Sequence, residues 1–369
     1  INSNGRSEVI AMGNTSKALR VIQWATGAIG KFNIVTCSRN PAFELVGCRV
    51  FSPEKAGRDA GEIAGIGPLG VKCTTSIEEI LALDADIVQY APLLANVDEI
   101  CRLLESGKNV ITPCGFTTVS NRADEAKLQA ACRKGGVSFH GSGIHPGFSG
   151  DRLPLVLSAM SRRIDRITVR EIVDMATVNE SWDMVEMLGF DMTPEAARSN
   201  PPALLGVMST IFHESIALLA QGLGLEIDEY DKTHEFALAT RDIEVQLDLG
   251  AKTGVVRKGH VGGQHFNYIG RKNGRTVIDF QTIWKMGDDL EPRWPIEERW
   301  AYHVTIQGEP DLKVTFTCGS PDGHDSAKLG LLCTAMNCMN TAPLVVAAAP
   351  GVVTQLDLPM IRAVNAFNA

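Results

Sequence analysis

No long run of lysine or arginine occurs in this 369-residue chain, and 35 basic against 43 acidic residues leave a formal net charge of −8. That argues against a surface built to neutralise phosphate backbones or anionic lipid, so neither nucleic acid nor membrane is an expected partner. Nine cysteines are present, but none forms a C-x-x-C pair and none has histidines at zinc-finger spacing. Scattered through apolar runs, they read as reduced, buried thiols of a cytoplasmic protein that holds no metal. The first 17 residues lack the apolar core of a secretory signal and are expected to form a flexible tail. No apolar run reaches the ~18 residues of a membrane span, and neither an internal repeat nor a low-complexity linker is found.

A chain this long exceeds one ordinary core and suits two domains. From Leu19 onward, short apolar runs alternate with amphipathic stretches. Strands are expected at 19–24, 44–51, 70–72, 86–90, 108–112 and 136–140, with helices at 28–39, 76–82, 96–106 and 121–134, the last stopped by Gly135-Gly136. This order predicts a doubly wound parallel sheet over residues 18–150, with its ligand crevice at the carboxyl ends of the strands. After Pro146 the pattern changes to a helix near 151–163, a strand near 165–173, a helix near 203–223 and alternating segments between 252 and 317. These predict a second α+β domain over 151–328 with an open, mainly antiparallel sheet. An apolar helix from Leu329 to Val346 is expected to return to the first domain, with residues 329–369 closing the chain.

The first strand runs into Ala25-Thr26-Gly27-Ala28-Ile29-Gly30, a dinucleotide fingerprint whose first glycine is replaced by Ala25. Gly27 would let backbone N–H groups approach a pyrophosphate, Gly30 would let the helix pack on the strand, and Thr26, Ala28 and Ile29 complete the loop. Ala25 is tolerated if the turn keeps φ negative. The competing reading is a tight turn with no ligand. Where an NAD-selective site carries an acidic residue after its second strand, this chain has Ser52, Lys55 and Arg58, which suit the 2′-phosphate of NADP, with NAD still possible; solvated loop charges are the alternative.

Later strand ends carry Ala91-Pro92, then Cys114-Gly115-Phe116, then Gly141, Gly143, Gly147 and Gly150 around His145. The small residues, Gly143 among them, permit close approach of a cofactor. His145 is the acid–base candidate, because imidazole titrates near neutrality, with a structural histidine as the alternative. Asp151 reads as a helix cap, His140 as structural, and Cys114 as a small side chain with nothing nearby in sequence to depress its pKa. His260 and His265 fall on opposite strand faces, which argues against a shared metal. Glu171, Asp174 and Glu180 form a loose acidic set that reads as solvated, with binding of a basic substrate as the alternative. Trp182, Met184, Met187, Phe190 and Met208 are candidates for an apolar substrate pocket, with core packing as the alternative for at least half of them.

"VIQWATGAIGK", "FSPEKAGRDAGE", "GKNVIT", "GSGIHPGF" and "NTAPLVVAAAPGVVTQLDLP", in this order, resemble the dihydrodipicolinate reductase-like superfamily. Within it they are most similar to the branch of 2,4-diaminopentanoate dehydrogenase and the native amine dehydrogenases. The resemblance implies a Rossmann-type domain, a substrate domain whose open sheet pairs in a homodimer, and NAD(P)H-dependent reduction of a C=N or C=O bond in the cleft between them. "PCGFTT" resembles the reductases' T-T-G-F loop along the nicotinamide ribose, which gives Gly115 and Phe116 that role. The amine dehydrogenases place a glutamate a few residues after "NVIT"; Pro113 to Thr118 holds no carboxylate. Where that branch often reads "GINPG", this chain has "GIHPG", which would pass proton transfer to His145. The expected function is an oxidoreductase acting on a small to medium apolar carbonyl or imine, and the alternative is a non-catalytic NADP(H)-binding sensor.

Overall fold

The computed structural model describes residues 17–367 apart from Pro321 and His324, so all of the expected tail except Lys17 lies outside the described residues. The first half comprises β1 (Leu19–Trp24), α1 (Ala28–Arg39), β2 (Phe43–Arg49), α2 (Ala60–Ile63), β3 (Cys73–Thr74), α3 (Ile77–Ala82), β4 (Ile87–Tyr90), α4 (Val97–Glu105), β5 (Asn109–Thr112), α5 (Arg122–Gly135) and β6 (Ser138–Gly141). Next come α6 (Arg152–Ser158), β7 (Arg163–Asp174), α7 (Trp182–Met187), α8 (Pro194–Ser199), α9 (Ala203–Gly222), β8 (Glu229–Ala239), β9 (Ile243–Leu247) and β10 (Lys252–Val256). The chain ends with β11 (Val261–Lys272), β12 (Arg275–Lys285), β13 (Leu290–Glu291), β14 (Trp300–Glu309), β15 (Leu312–Phe316), α10 (Ser326–Ala347) and β16 (Gly351–Val352).

The first sheet has the order β16-β6-β5-β4-β1-β2-β3 and is parallel throughout. Both of its faces are covered, which explains why its strands read as unbroken apolar runs. Ile22, Val88, Val110 and Phe139 face α4 and α5. Val21, Ile87 and Ile111 face α10, which contributes Cys338, Met339, Ala342 and Val345. Burial of such side chains stabilises by roughly 1–3 kcal/mol each. Gly136 ends α5 in the left-handed conformation at φ 68°, as the Gly-Gly pair suggests.

The second sheet, β13-β8-β11-β12-β7-β14-β15, is antiparallel except for the β7–β12 pair. One face packs under α9 through Ile167, Val169, Phe212, Ile216, Phe266 and Phe280. The chain is thus α/β, with a Rossmann-type sheet followed by a second, mainly antiparallel sheet. β8 and β9 are absent from the sequence reading, because the charged run in "EYDKTHEFALA" hides a strand that lies near the sheet edge with one polar face. Expected strand 70–72 is displaced to 73–74, where it pairs with the end of β2.

α9 and α10 are long and apolar enough by composition to cross a membrane, which corrects the reading that no such run exists. Both are instead packed against the sheets, α9 on the second and α10 on the first, so each is apolar over most of its circumference. α10 also touches the second sheet: a Cβ on Gly330 would lie 2.1 Å from Nε1 of the buried Trp300. Gly330→Ala is therefore expected to lower stability by about 1–3 kcal/mol in chemical denaturation. An unchanged midpoint would contradict this seating of α10 on β14.

Candidate functional site

The carboxyl ends of β1, β4, β5 and β6 form a row of touching loops. Ala91 N–H donates to Trp24 O at 3.1 Å, Cys114 Sγ donates to Pro92 O at 3.2 Å, and Gly141 leaves no room for a Cβ against Gly115 and Phe116.

At the head of the row, Ala25 adopts φ 75°, which corrects the expectation of a negative angle. The turn demands the left-handed region, and the surrounding bonds hold it there: Ala25 N–H donates to Arg49 O at 2.9 Å, and Gln23 Nε2 donates to Ala25 O at 2.9 Å. Gln23 is itself fixed by Asn33 Nδ2 at 3.0 Å. The left-handed backbone costs roughly 1 kcal/mol for a residue with a Cβ, of which alanine has the smallest complete side chain. Gly30 keeps the role read from the sequence, because a Cβ there would sit 2.2 Å from Ala25 O.

α4 and α5 are capped by the side chains of Asn96 and Asn121, whereas α1 begins at Gly27 with no side-chain cap. Its first N–H groups therefore point at the space a diphosphate would fill, with the helix dipole behind them. Glu180 approaches that space from the second domain. The Ala28 N–H points at its carboxylate, and a Cβ on Gly27 would lie 3.7 Å from its Cγ. Burial raises the Glu180 carboxyl above its ordinary range, against the lowering pull of Lys31. Lys31 itself pairs with Asp248 at 2.7 Å. The start of α1, the lack of a Cβ at Gly27 and the nearby Lys31 and Lys55 fit a dinucleotide diphosphate that would take the Ala28 N–H over from Glu180.

Beyond β2, Lys55 Nζ reaches Thr26 Oγ1 at 3.3 Å, Ser52 precedes a short 3-10 turn, and Arg58 is exposed. The sequence reading missed Arg49, whose guanidinium lies over the rings of Trp24 and Phe51 at 5.4 and 5.1 Å. No motif marks it; only the β2 register brings it beside the loop.

After β5, burial pushes the Cys114 thiol up to about 11, which fits an inert side chain. Gly115 and Phe116 are both left-handed, and the Phe116 ring meets Phe139 edge-on at 5.6 Å. A second missed residue secures this loop: Glu214 of α9 accepts the N–H groups of Phe116 and Ser120 at 3.2 and 3.0 Å and the Ser120 hydroxyl at 2.7 Å. A lone carboxylate inside an otherwise apolar helix was its signal. Gly143 is tied to α10 by Asn337, whose Nδ2 donates to its carbonyl.

His145 lies wholly inside, against Phe212, Phe280 and Tyr302 with ring centroids at 4.9, 5.2 and 5.6 Å. Neither ring nitrogen has a hydrogen-bond partner. Burial pushes its pKa down to about 3, which corrects the expectation that it titrates near neutrality. Its Nδ1 stands 3.9 Å from Oε2 of Glu171. Glu171 accepts Trp284 Nε1 at 2.6 Å and the Tyr302 hydroxyl at 2.7 Å, yet burial still pushes it up to about 7.

The acidic set is therefore not solvated. Glu171 and Asp174 are both 5 % exposed, and Asp174 is paired with Arg299 at 2.9 Å. The signal for Glu171 was its parity with Ile167 and Val169 on the apolar side of β7. Asp151 caps α6 as read, and His140 Nδ1 meets Val353 O at 2.8 Å in a structural role. Among the described residues no cluster suited to a metal ion occurs.

Phe190 is fully buried in the second-domain core, and Trp182, Met184, Met187 and Met208 are partly buried against it. They line neither of two surface cavities. One, of about 320 Å³, lies between Ser161 and Ile278; the other, of about 270 Å³, lies on the outer sheet face around Arg170 and His303.

A family model described as the 2,4-diaminopentanoate dehydrogenase C-terminal domain matches residues 148–368. An amine dehydrogenase of Streptomyces virginiae is 28 % identical over 365 residues, 94 % of this chain and 98 % of that protein. A 2,4-diaminopentanoate dehydrogenase of Acetoanaerobium sticklandii is 22 % identical over 270 residues, 72 % of this chain and 71 % of that protein. The solved amine dehydrogenase from Mycobacterium smegmatis matches with a TM-score of 0.76 over 95 % of this chain and 98 % of its own, at 20 % identity.

Glu180 places negative charge where a diphosphate would bind. Glu180→Gln is expected to tighten NADPH binding roughly three- to tenfold, about 1 kcal/mol, in a calorimetric titration at low salt. Weaker binding in the variant would show that the carboxylate helps to hold the ligand.

Proposed function

This chain belongs to the family of the 2,4-diaminopentanoate dehydrogenase C-terminal domain, and from that premise we propose that it interconverts an amine and a carbonyl compound. It is an NAD(P)-dependent oxidoreductase, like the dehydrogenases it resembles. The observation that carries the finer reading is the continuous row of strand-end loops from the uncapped start of α1 to His145. The dinucleotide, when bound, supplies or accepts the hydride.

In this reading Thr26, Gly27, Ala28, Ile29 and Gly30 hold the diphosphate. Ser52, Lys55 and Arg58, with Arg49, hold the adenosine end and favour NADP over NAD, because the chain has no acidic side chain at Ser52 for ribose hydroxyls and has cations for a phosphate. Ala91, Pro92, Cys114, Gly115, Phe116 and Gly143 flank the nicotinamide half. The substrate is a small to medium apolar carbonyl or imine. Its apolar part lies towards Trp182, Met184, Met187 and Met208, with Phe190 as support, and the reacting group lies near His145. The loop from Pro113 to Thr118 holds no carboxylate, so proton transfer falls to His145. The same reading makes the protein a cytoplasmic homodimer joined through the outer face of the second sheet, where Ile172, Ile283 and Ala301 form an apolar patch with Trp294 and Ile296.

Oxidation of NADPH with apolar ketones is expected to require ammonia and to cease without it. His145→Asn should lower kcat by about 10²-fold or more while the NADPH Kd stays within about twofold. NADPH binding with no turnover on any ketone or aldehyde, with or without ammonia, would instead favour a sensor. For the coenzyme, Arg49→Ala is expected to raise the KM for NADPH about tenfold and leave that for NADH nearly unchanged. Equal effects on both would remove Arg49 from phosphate recognition.

A further inference from the structure

We propose that Glu171 is the proton store of the reaction, reached through the ring of His145. The inference rests on the amine–carbonyl reading above. An ammonium substrate has no lone pair on nitrogen, so it must lose a proton before a hydride can leave the adjacent carbon. The group that takes that proton has to sit in the cleft and out of bulk water.

The geometry points to one carboxylate. In the sheet, Glu171 of β7 stands opposite Thr282 of β12 and Tyr302 of β14. Trp284 Nε1 donates to Oε1 and the Tyr302 hydroxyl donates to Oε2, which fixes the carboxyl group from both neighbouring strands. His145 lies beyond Oε2 at 3.9 Å, with both ring nitrogens unpartnered. The Tyr268 hydroxyl, buried nearby, is engaged with the hydroxyls of Thr282 and Ser209. Other buried carboxylates are already engaged. Asp151 is held by the N–H groups of Gly147 and Arg152 and by the Ser215 hydroxyl. Glu214 holds the Phe116–Ser120 loop, and Asp174 is paired with Arg299.

Burial moves the two groups in opposite directions. It pushes His145 down to about 3 and Glu171 up to about 7, so a proton delivered to the ring does not stay there but passes to the carboxylate. The titratable groups facing Glu171 are His145 from the β6–α6 loop, Tyr302 from β14 and Tyr268 from β11, with Cys318 and Cys333 behind Tyr302. Burial pushes both phenols and both thiols up, so they stay neutral near pH 7. Desolvation and the two hydrogen bonds are the influences on Glu171, with no cation among them.

In the oxidative direction the substrate ammonium gives one N–H proton to Nε2 of His145, and the ring, once it turns to close its 3.9 Å gap to the carboxylate, passes its Nδ1 proton to Oε2 of Glu171. The neutral amine then loses the hydrogen on its nitrogen-bearing carbon with both electrons, as hydride, to the oxidised nicotinamide dinucleotide. A protonated imine is left. Water adds to its carbon, the carbon–nitrogen bond breaks, and the carbonyl compound and an ammonium ion leave. The stored proton returns to solvent through His145 once the product has gone.

In the wild type, kcat/KM for oxidation of cyclohexylamine with NADP+ should rise with pH through a limb near 7, the point at which Glu171 is free to accept a proton. Glu171→Gln should lose that limb and about 10²-fold in kcat, with the KM for NADP+ unchanged. Tyr302→Phe, which removes one donor to the carboxylate, should move the limb to higher pH. In the free protein, a protonated-carboxyl infrared band should titrate away near pH 7 and be absent from Glu171→Gln. A limb that survives Glu171→Gln, or a band already gone at pH 5.5, would overturn the assignment. A wild type that oxidises no amine would contradict the functional reading instead, and the infrared titration would still decide for or against the store.

Discussion

An imidazole and a carboxylate buried 3.9 Å apart under aromatic rings form the constraint around which the cleft is organised. Neither ion is comfortable in such surroundings, so the pair settles with the imidazole bare and the carboxyl poised between its two states. An apolar core would have been simpler to build at this place. Retaining two ionisable groups there makes sense for chemistry that moves a proton in a site closed to water.

The two domains are joined at the same place. Glu180 and Asp248 reach from the second domain to the start of α1. Glu214 reaches from α9 to the loop after β5, while α10 runs along the first sheet and wedges Gly330 under Trp300. The three carboxylate links all end at the carboxyl edge of the parallel sheet. Movement of one domain against the other would therefore register directly in the loops that would hold the coenzyme.

Much of this was legible in the sequence. The apolar runs of β1, β4 and β5 and the Thr26–Gly30 stretch carry their own periodicity and turn chemistry, and they fall where read. Ala25 was placed correctly but given the wrong backbone angle, because the sign of φ there is set by bonds to Arg49 and Gln23 that local sequence does not reveal. Glu171 reads as solvated by its charge, yet its alternation with Ile167 and Val169 marks the buried face of β7, and there parity prevails over charge. Arg49 and Glu214 act across more than twenty residues of sequence separation, through strand register and domain contact. Such partners become visible only once the chain is folded.

The most direct test is the fate of the transferred hydride. NADPH deuterated on the transferred face of nicotinamide C4, mixed with the protein, an apolar ketone and ammonia, should give an amine carrying one deuterium on the carbon bonded to nitrogen, as read by mass spectrometry. An alcohol carrying that deuterium would make the protein a ketone reductase. No deuterium in any product would contradict hydride transfer in this cleft.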